Sequence, residues 1–129
     1  MIKPNESLLI KGEIADYYLD NDGILYSYSK SIKRTVENIS RNVTLVKSIT
    51  GDKPVLLLIY LSNSPMPDKA ARKFSKEKLP EIYQAVAMVS ESDLGKFIMN
   101  VLFKFQKSPI PMKTFPNDSE ALIWLKQYM

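Results

Sequence analysis

The sequence has no histidine and no cysteine in 129 residues. Their absence excludes serine–histidine and cysteine–histidine nucleophilic sites, thiolate or imidazole metal sites, disulfides and CxxC redox chemistry. Acid–base work or Mg²⁺ binding would fall to carboxylates alone. These are scattered, with no DxD or ExxE cluster inside the apolar framework. A protein that is not an enzyme, with no metal and no cofactor, is therefore expected. Also missing are an arginine-rich tract and the aromatic pattern of RNP-type binders. The net charge of +4 then reads as a lysine-rich solvated surface, and no nucleic acid is expected as partner. No apolar run reaches the roughly 20 residues of a membrane span, and Leu8-Leu9-Ile10 is too short for a signal-peptide core. Stable membrane insertion is not expected. A soluble cytoplasmic protein is expected; the lack of cysteine fits a reducing compartment and equally fits no constraint at all.

What the sequence does hold is a pattern of alternating elements. Its most informative stretch runs from Pro54 to Lys78. Val55-Leu56-Leu57-Leu58-Ile59-Tyr60-Leu61 is apolar in both parities, as suits a strand buried on both faces of a parallel sheet. It breaks into the polar loop Ser62-Asn63-Ser64-Pro65-Met66-Pro67, and Asp68 opens a helix. Loops of this kind, at the carboxyl end of a parallel strand, are where ligands and partners usually meet such a sheet.

The remaining elements follow from turn and capping chemistry. Residues 13–20 read as a strand, Asn21-Asp22-Gly23 as a hairpin turn, and residues 24–29 as a returning strand with strict alternation. Residues 31–34 form a basic connector. Thr35 is the N-cap of a helix that carries Val36, Ile39, Val43, Val46 and Ile49 inward and ends at Gly51. Pro80 is expected to stop the Asp68 helix, and residues 82–89 to form a second interior strand. A long helix spans 92–107 and a short strand 112–115. A last helix is capped by Asn117 with Glu120 and packs Ala121, Trp124, Leu125 and Tyr128 inward. The predicted order is β-β-α-β-α-β-α-β-α. This describes an α/β fold with a mainly parallel five-stranded sheet, one antiparallel strand contributed by the opening hairpin, and helices on both faces. One domain over residues 1–129 is expected, with residues 1–12 as a loose extension.

This arrangement resembles the STAS domain of anti-sigma-factor antagonists and sulfate-transporter tails. It is most similar to an uncharacterised bacterial group described as STAS-like or SpoIIAA-like. The resemblance rests on Asp22-Gly23-Ile24-Leu25, Ala71-Arg72-Lys73-Phe74, Ala85-Val86-Ala87-Met88-Val89, Ser108-Pro109-Ile110-Pro111-Met112-Lys113-Thr114-Phe115 and Glu120-Ala121-Leu122-Ile123-Trp124-Leu125, in that order. It covers Glu13 to the end. Characterised antagonists carry a phosphoacceptor serine in an Asp-Ser-Ser-Gly-Leu-like turn at the start of the second helix. That turn is missing here, so the resemblance implies the fold with the switch lost or moved.

Four sets of residues are candidates for function. Asp68 reads either as an acidic group standing where relatives present a phosphate or as an ordinary N-cap, and capping alone explains it. Ser62 and Ser64 read either as phosphoacceptors or as hydroxyls satisfying local backbone groups. Lys69, Arg72, Lys73 and Lys76 fall within about 100° of arc on a helical wheel, opposite Ala70, Ala71 and Phe74. They form a basic docking face or a solvated one. In the 92–107 helix, Leu94, Phe97, Ile98, Val101, Leu102 and Phe105 make an inward stripe, whereas Met99 and Phe103 point away from it. That pair suits a contact with a protein partner or a second copy in a homodimer. The leading expectation is a non-enzymatic regulatory module that docks a protein through the loop and helix after the third strand, or through the 92–107 helix. The alternative is a carrier of a small apolar or lipid-like ligand in a pocket under the 92–107 helix.

Overall fold

The computed structural model describes residues 1–90 and 108–129. Its elements, in chain order, are strands β1 (Ile10–Lys11), β2 (Ala15–Leu19) and β3 (Ile24–Ser29), helix α1 (Val36–Thr50), strand β4 (Val55–Tyr60) and helix α2 (Lys69–Ile82). Strands β5 (Tyr83–Val89) and β6 (Met112–Phe115) and helix α3 (Asp118–Lys126) follow, and a short 3-10 turn at Glu6–Leu8 precedes them all. The six strands lie side by side in sequence order. β2 runs antiparallel to both of its neighbours, β1 and β3, and β3 through β6 are parallel. The two interior apolar strands read from sequence, β4 and β5, are adjacent and parallel as predicted. The predicted 92–107 helix, with Met99 and Phe103, lies outside the described residues. No helix among the described residues is long and apolar enough to cross a membrane.

Local chemistry fixes these boundaries. The β2–β3 turn is organised by Asp20, whose Oδ1 accepts from the amides of Asp22 and Ile24, each at 2.9 Å. Thr35 accepts from the Asn38 amide, and the Asn38 side chain accepts from the Thr35 amide, which closes a capping box on α1. Gly51 ends α1 at φ 70°, a left-handed conformation that a side chain would strain. Asn117 caps α3 through the Glu120 amide at 2.9 Å.

Three expectations need correction. Pro80 does not end α2, which runs on to Ile82 with the proline inside it. There the proline removes its own N–H from the ladder and crowds the carbonyl four residues back, a local cost near the helix end, and burying Ile82 carries the helix through, so β5 begins at Tyr83. Tyr128, expected to pack inward, lies beyond α3 and is exposed, its ring edge-on to Trp124 at 5.1 Å. The first twelve residues are not a loose extension. β1 adds a sixth, edge strand beside β2. The Ile2 amide donates to Tyr60 Oη (3.0 Å) and Asp118 Oδ2 (3.1 Å), and the Tyr28 hydroxyl donates to the Ile2 carbonyl.

The sheet carries a different core on each face. On one, Leu25, Leu57, Val86 and Met88 meet α1 and α2 through Ile39, Val43, Val46, Ala71 and Ile82. On the other, Ile24, Tyr26, Leu56, Leu58 and Ala87 meet α3 through Ala121 and Leu125. Tyr28 and Tyr60 stack on this second face at 5.3 Å, and Tyr60 Oη donates to Asp118 at 2.8 Å. Burial is the main cause that raises the phenol of Tyr28 to about 12.

Candidate functional site

The face shared with α1 and α2 is incompletely filled. Along β3 the inward parity carries Leu25, Ser27 and Ser29, and the neighbour of Ser29 on β2 is Ala15. Across the parallel strands Ser27 aligns with Ile59 and Met88. Small side chains thus stand where the neighbouring strands carry large ones, and a cavity of about 290 Å³ opens above them. This is near the lower end of the ~300–1,000 Å³ usual for small-molecule sites. Its apolar wall comes from Leu57, Ile59, Val86 and Met88 of the sheet and Ile39 and Val43 of α1, with Leu79 of α2 and Met112 closing the side.

Polar groups enter this wall at two places. At the floor, the Tyr17 hydroxyl donates to Asn42 Oδ1 at 2.8 Å. Burial pushes the Tyr17 phenol up and the Tyr83 phenol well up, and the adjacent Tyr17 adds to the effect on Tyr83. Both hydroxyls stay protonated at any physiological pH and act as hydrogen-bonding groups, not as bases. Along α2, Arg72 and Lys76 lie one turn apart and border the cavity with Ser75. The Arg72 Nε is buried and makes no hydrogen bond.

On a helical wheel Arg72 and Lys76 share one basic face with Lys69 and Lys73, and the structure divides that group. Ala71, Phe74, Leu79 and Ile82 form the core stripe of α2. Arg72 and Lys76 flank it on the cavity side, whereas Lys69 and Lys73 stand in solvent, as does Ala70. Long basic side chains can lie along an apolar wall while their charge reaches a polar edge.

The loop after β4 is held at the other end of the cavity by a residue that sequence reading treated as mere connector. Arg34 Nη1 donates to the Lys30 carbonyl (2.5 Å) and Ser64 Oγ (2.9 Å), and also reaches the Ile32 carbonyl. Its Nη2 donates to the Ile14 carbonyl (3.0 Å) and Ser29 Oγ (2.6 Å). Ser62 Oγ lies 3.1 Å from Ser64 Oγ and 3.3 Å from Ser29 Oγ, and Ser64 donates to the Lys30 carbonyl at 3.0 Å. Burial lowers the Arg34 pKa from its ordinary value. Ser62 and Ser64 are therefore brought together, half-buried, against a guanidinium. Asp68 is not part of this cluster: it caps α2 by accepting from the Ala71 amide at 2.9 Å.

No group of three or more carboxylates suited to a metal ion forms among the described residues. The cavity, the Arg34 anchor and the divided basic face were all missed from sequence. The one available signal was the parity of β3, where Ile24, Tyr26 and Tyr28 oppose Leu25, Ser27 and Ser29. A buried strand face that turns from leucine to two serines is short of volume.

Residues 17–129 match the family model described as Domain of unknown function (DUF7793). No curated protein matches the chain. Among solved structures, an uncharacterised protein of the DUF3478 family with a SpoIIAA-like fold, from Shewanella loihica PV-4, superposes with a TM-score of 0.62 at 19% identity. That match covers 97% of this chain and 99% of the other. A protein of unknown function from Arthrobacter sp. FB24 is 20% identical over 91% of this chain and 97% of its own, with a TM-score of 0.33. The first likeness gives the fold, which is SpoIIAA-like and STAS-like as the sequence resemblance implied.

Proposed function

The chain belongs to the family described as Domain of unknown function (DUF7793), and we propose that in it the STAS-like fold serves as a non-enzymatic binding module for a small molecule with an apolar body. The observation that carries this is the 290 Å³ cavity between the parallel strands and α1–α2, with its mostly aliphatic wall. A concave, largely apolar pocket with a few convergent polar groups is the usual form of a small-ligand site. This reading moves the carrier expectation to a different place, since the 92–107 helix lies outside the described residues. In a cytoplasmic setting, such a module would report or deliver its ligand by docking to a protein. The exposed Lys69 and Lys73 and the Ser62–Asp68 loop offer the surface for that contact.

Two measurements test the ligand reading. Native mass spectrometry of protein purified from its own host should show a retained mass. The neutral fluorophore N-phenyl-1-naphthylamine should brighten on binding the apo protein, and Ser27→Val, which takes up part of the cavity floor, should weaken that response while the protein still melts cooperatively. Absence of both a retained mass and a fluorophore response in the wild type refutes the reading.

A second reading, a docking module switched at the loop, is favoured by the pairing of Ser64 with Arg34. Phosphate on Ser64 would meet a guanidinium directly. On this reading Ser64→Glu alters partner capture and Ser64→Ala does not. Equal capture by both variants and the wild type removes it.

A further inference from the structure

We propose that the ligand is an amphipathic anion whose head group, a carboxylate, is held between Arg72 and Lys76 while its apolar body lies against Leu57, Ile59, Val86 and Met88. This rests on the cavity reading above and adds the chemistry of the head group.

The first support is the charge of the lining. Among the described residues that border the cavity there are four cations, Arg34, Arg72, Lys76 and Lys78, and no aspartate or glutamate. Two of the four are already engaged. Lys78 pairs with Glu81 at 3.1 Å, and Arg34 spends its donors on carbonyls and serine hydroxyls. Arg72 and Lys76 have no acidic partner among the described residues.

The second support is the state of Arg72. Its Nε is buried without a hydrogen-bond partner. A buried donor left unmade is unfavourable by a margin that a stable domain rarely leaves uncorrected. Arginine presents donors in a planar fork that matches a carboxylate bidentately. Lys76, one turn further along the same helix, adds a second positive charge on the same side. The apolar wall beyond them excludes a small hydrophilic anion as the preferred occupant, because burying that wall against water-bound ions gains nothing. The two halves together select a molecule that is anionic at one end and aliphatic at the other.

The test uses isothermal titration of the full chain with sodium octanoate and with 1-octanol, which share a body and differ in head group. The wild type should bind octanoate more tightly than octanol. Arg72→Met, which keeps an aliphatic stem, should weaken octanoate roughly ten- to a hundredfold and leave octanol unchanged. Lys76→Met should act in the same direction with a smaller change, and Arg72→Lys should recover part of the loss. Thermal melts of each variant confirm that the fold is retained. If octanol binds as well as or better than octanoate, or Arg72→Met binds both as the wild type does, the head-group assignment is overturned and the apolar-cavity reading stands. If neither compound binds the wild type, the head-group assignment falls, and absence of the retained mass and of the fluorophore response then removes the apolar-cavity reading as well.

Discussion

Arg34 is half-buried, and its guanidinium joins four segments of chain: the end of β3 at Ser29, the connector at Lys30 and Ile32, the start of β2 at Ile14, and the β4–α2 loop at Ser64. Replacing it with methionine keeps most of the aliphatic stem and deletes every donor. The carbonyls of Ile14 and Lys30 then lose their charged partner in a region with restricted access to water. Each such loss is worth about 1–2 kcal/mol once some rehydration is allowed, giving about 3 kcal/mol in all. The Ile32 contact is exposed and adds little. At ~2 cal/mol/K of unfolding entropy per residue, a chain of 129 residues loses about 4 °C of Tm per kcal/mol, so Arg34→Met should melt about 12 °C lower. Lysine preserves the charge but places it at one point, where it reaches one side of the junction and not both. Arg34→Lys should therefore recover less than half of the loss. Urea titration followed by circular dichroism measures both variants, and the m-value should stay unchanged because the surface exposed on unfolding is the same. An Arg34→Lys protein with wild-type stability, or an Arg34→Met protein within about 0.5 kcal/mol of it, would refute the joint role assigned to the fork.

Asp68→Ala should destabilise the protein by about 1 kcal/mol through loss of the α2 cap, measured by the same titration, with Asp68→Ser close to wild type. Leu58 and Leu57 are neighbours on opposite faces of β4, and only Leu57 borders the cavity. Leu58→Ala should cost about 3–5 kcal/mol and Leu57→Ala about 2–3, because a side chain that borders an open space has fewer packing contacts to lose. Equal costs would show that the cavity is filled by protein in solution. Tyr17, Tyr26, Tyr28, Tyr60 and Tyr83 all have phenols raised from 10.0, chiefly by burial. A raised folded-state pKa contributes stability that is complete below the unfolded value and is lost as pH climbs past it. Stability should therefore fall steadily above pH 10, and phenolate absorbance from these five should appear together with unfolding, not before it. Early non-cooperative titration of all tyrosines would contradict their burial.

The elements written in short-range chemistry were legible in the sequence. Thr35 and Gly51 bound α1, Asn117 and Glu120 open α3, and Asn21-Asp22-Gly23 turns β2 into β3, because each signal acts over a few residues. The central strands were legible because burial on both faces leaves no polar parity. What failed depends on distant partners. Pro80 inside α2 is tolerated because of what Ile82 packs against, and β1 exists because β2 offers it an edge. Nothing in the sequence around Gly12 marks it, yet a Cβ there would come within 2.5 Å of the Ala15 carbonyl and 2.8 Å of Leu45 on α1. The division of the α2 basic residues followed from a void in the facing sheet, which no helical wheel contains. Arg34 looked like one more surface cation because its acceptors are mostly backbone carbonyls, which carry no residue identity.

The order of strands across the sheet is also their order along the chain. Each strand is therefore bordered by its immediate predecessor, and none has to hold an open edge for a partner made much later. During synthesis the sheet can be laid down row by row as the chain emerges, each new strand seated against a row already in place, which keeps loop-closure costs short and unpaired edges brief. The opening segment breaks this order, most of all where Ile2 meets Asp118 across 116 residues. That closure must wait for the last helix, so the opening segment should dock late and be the first part to release when the protein is stressed.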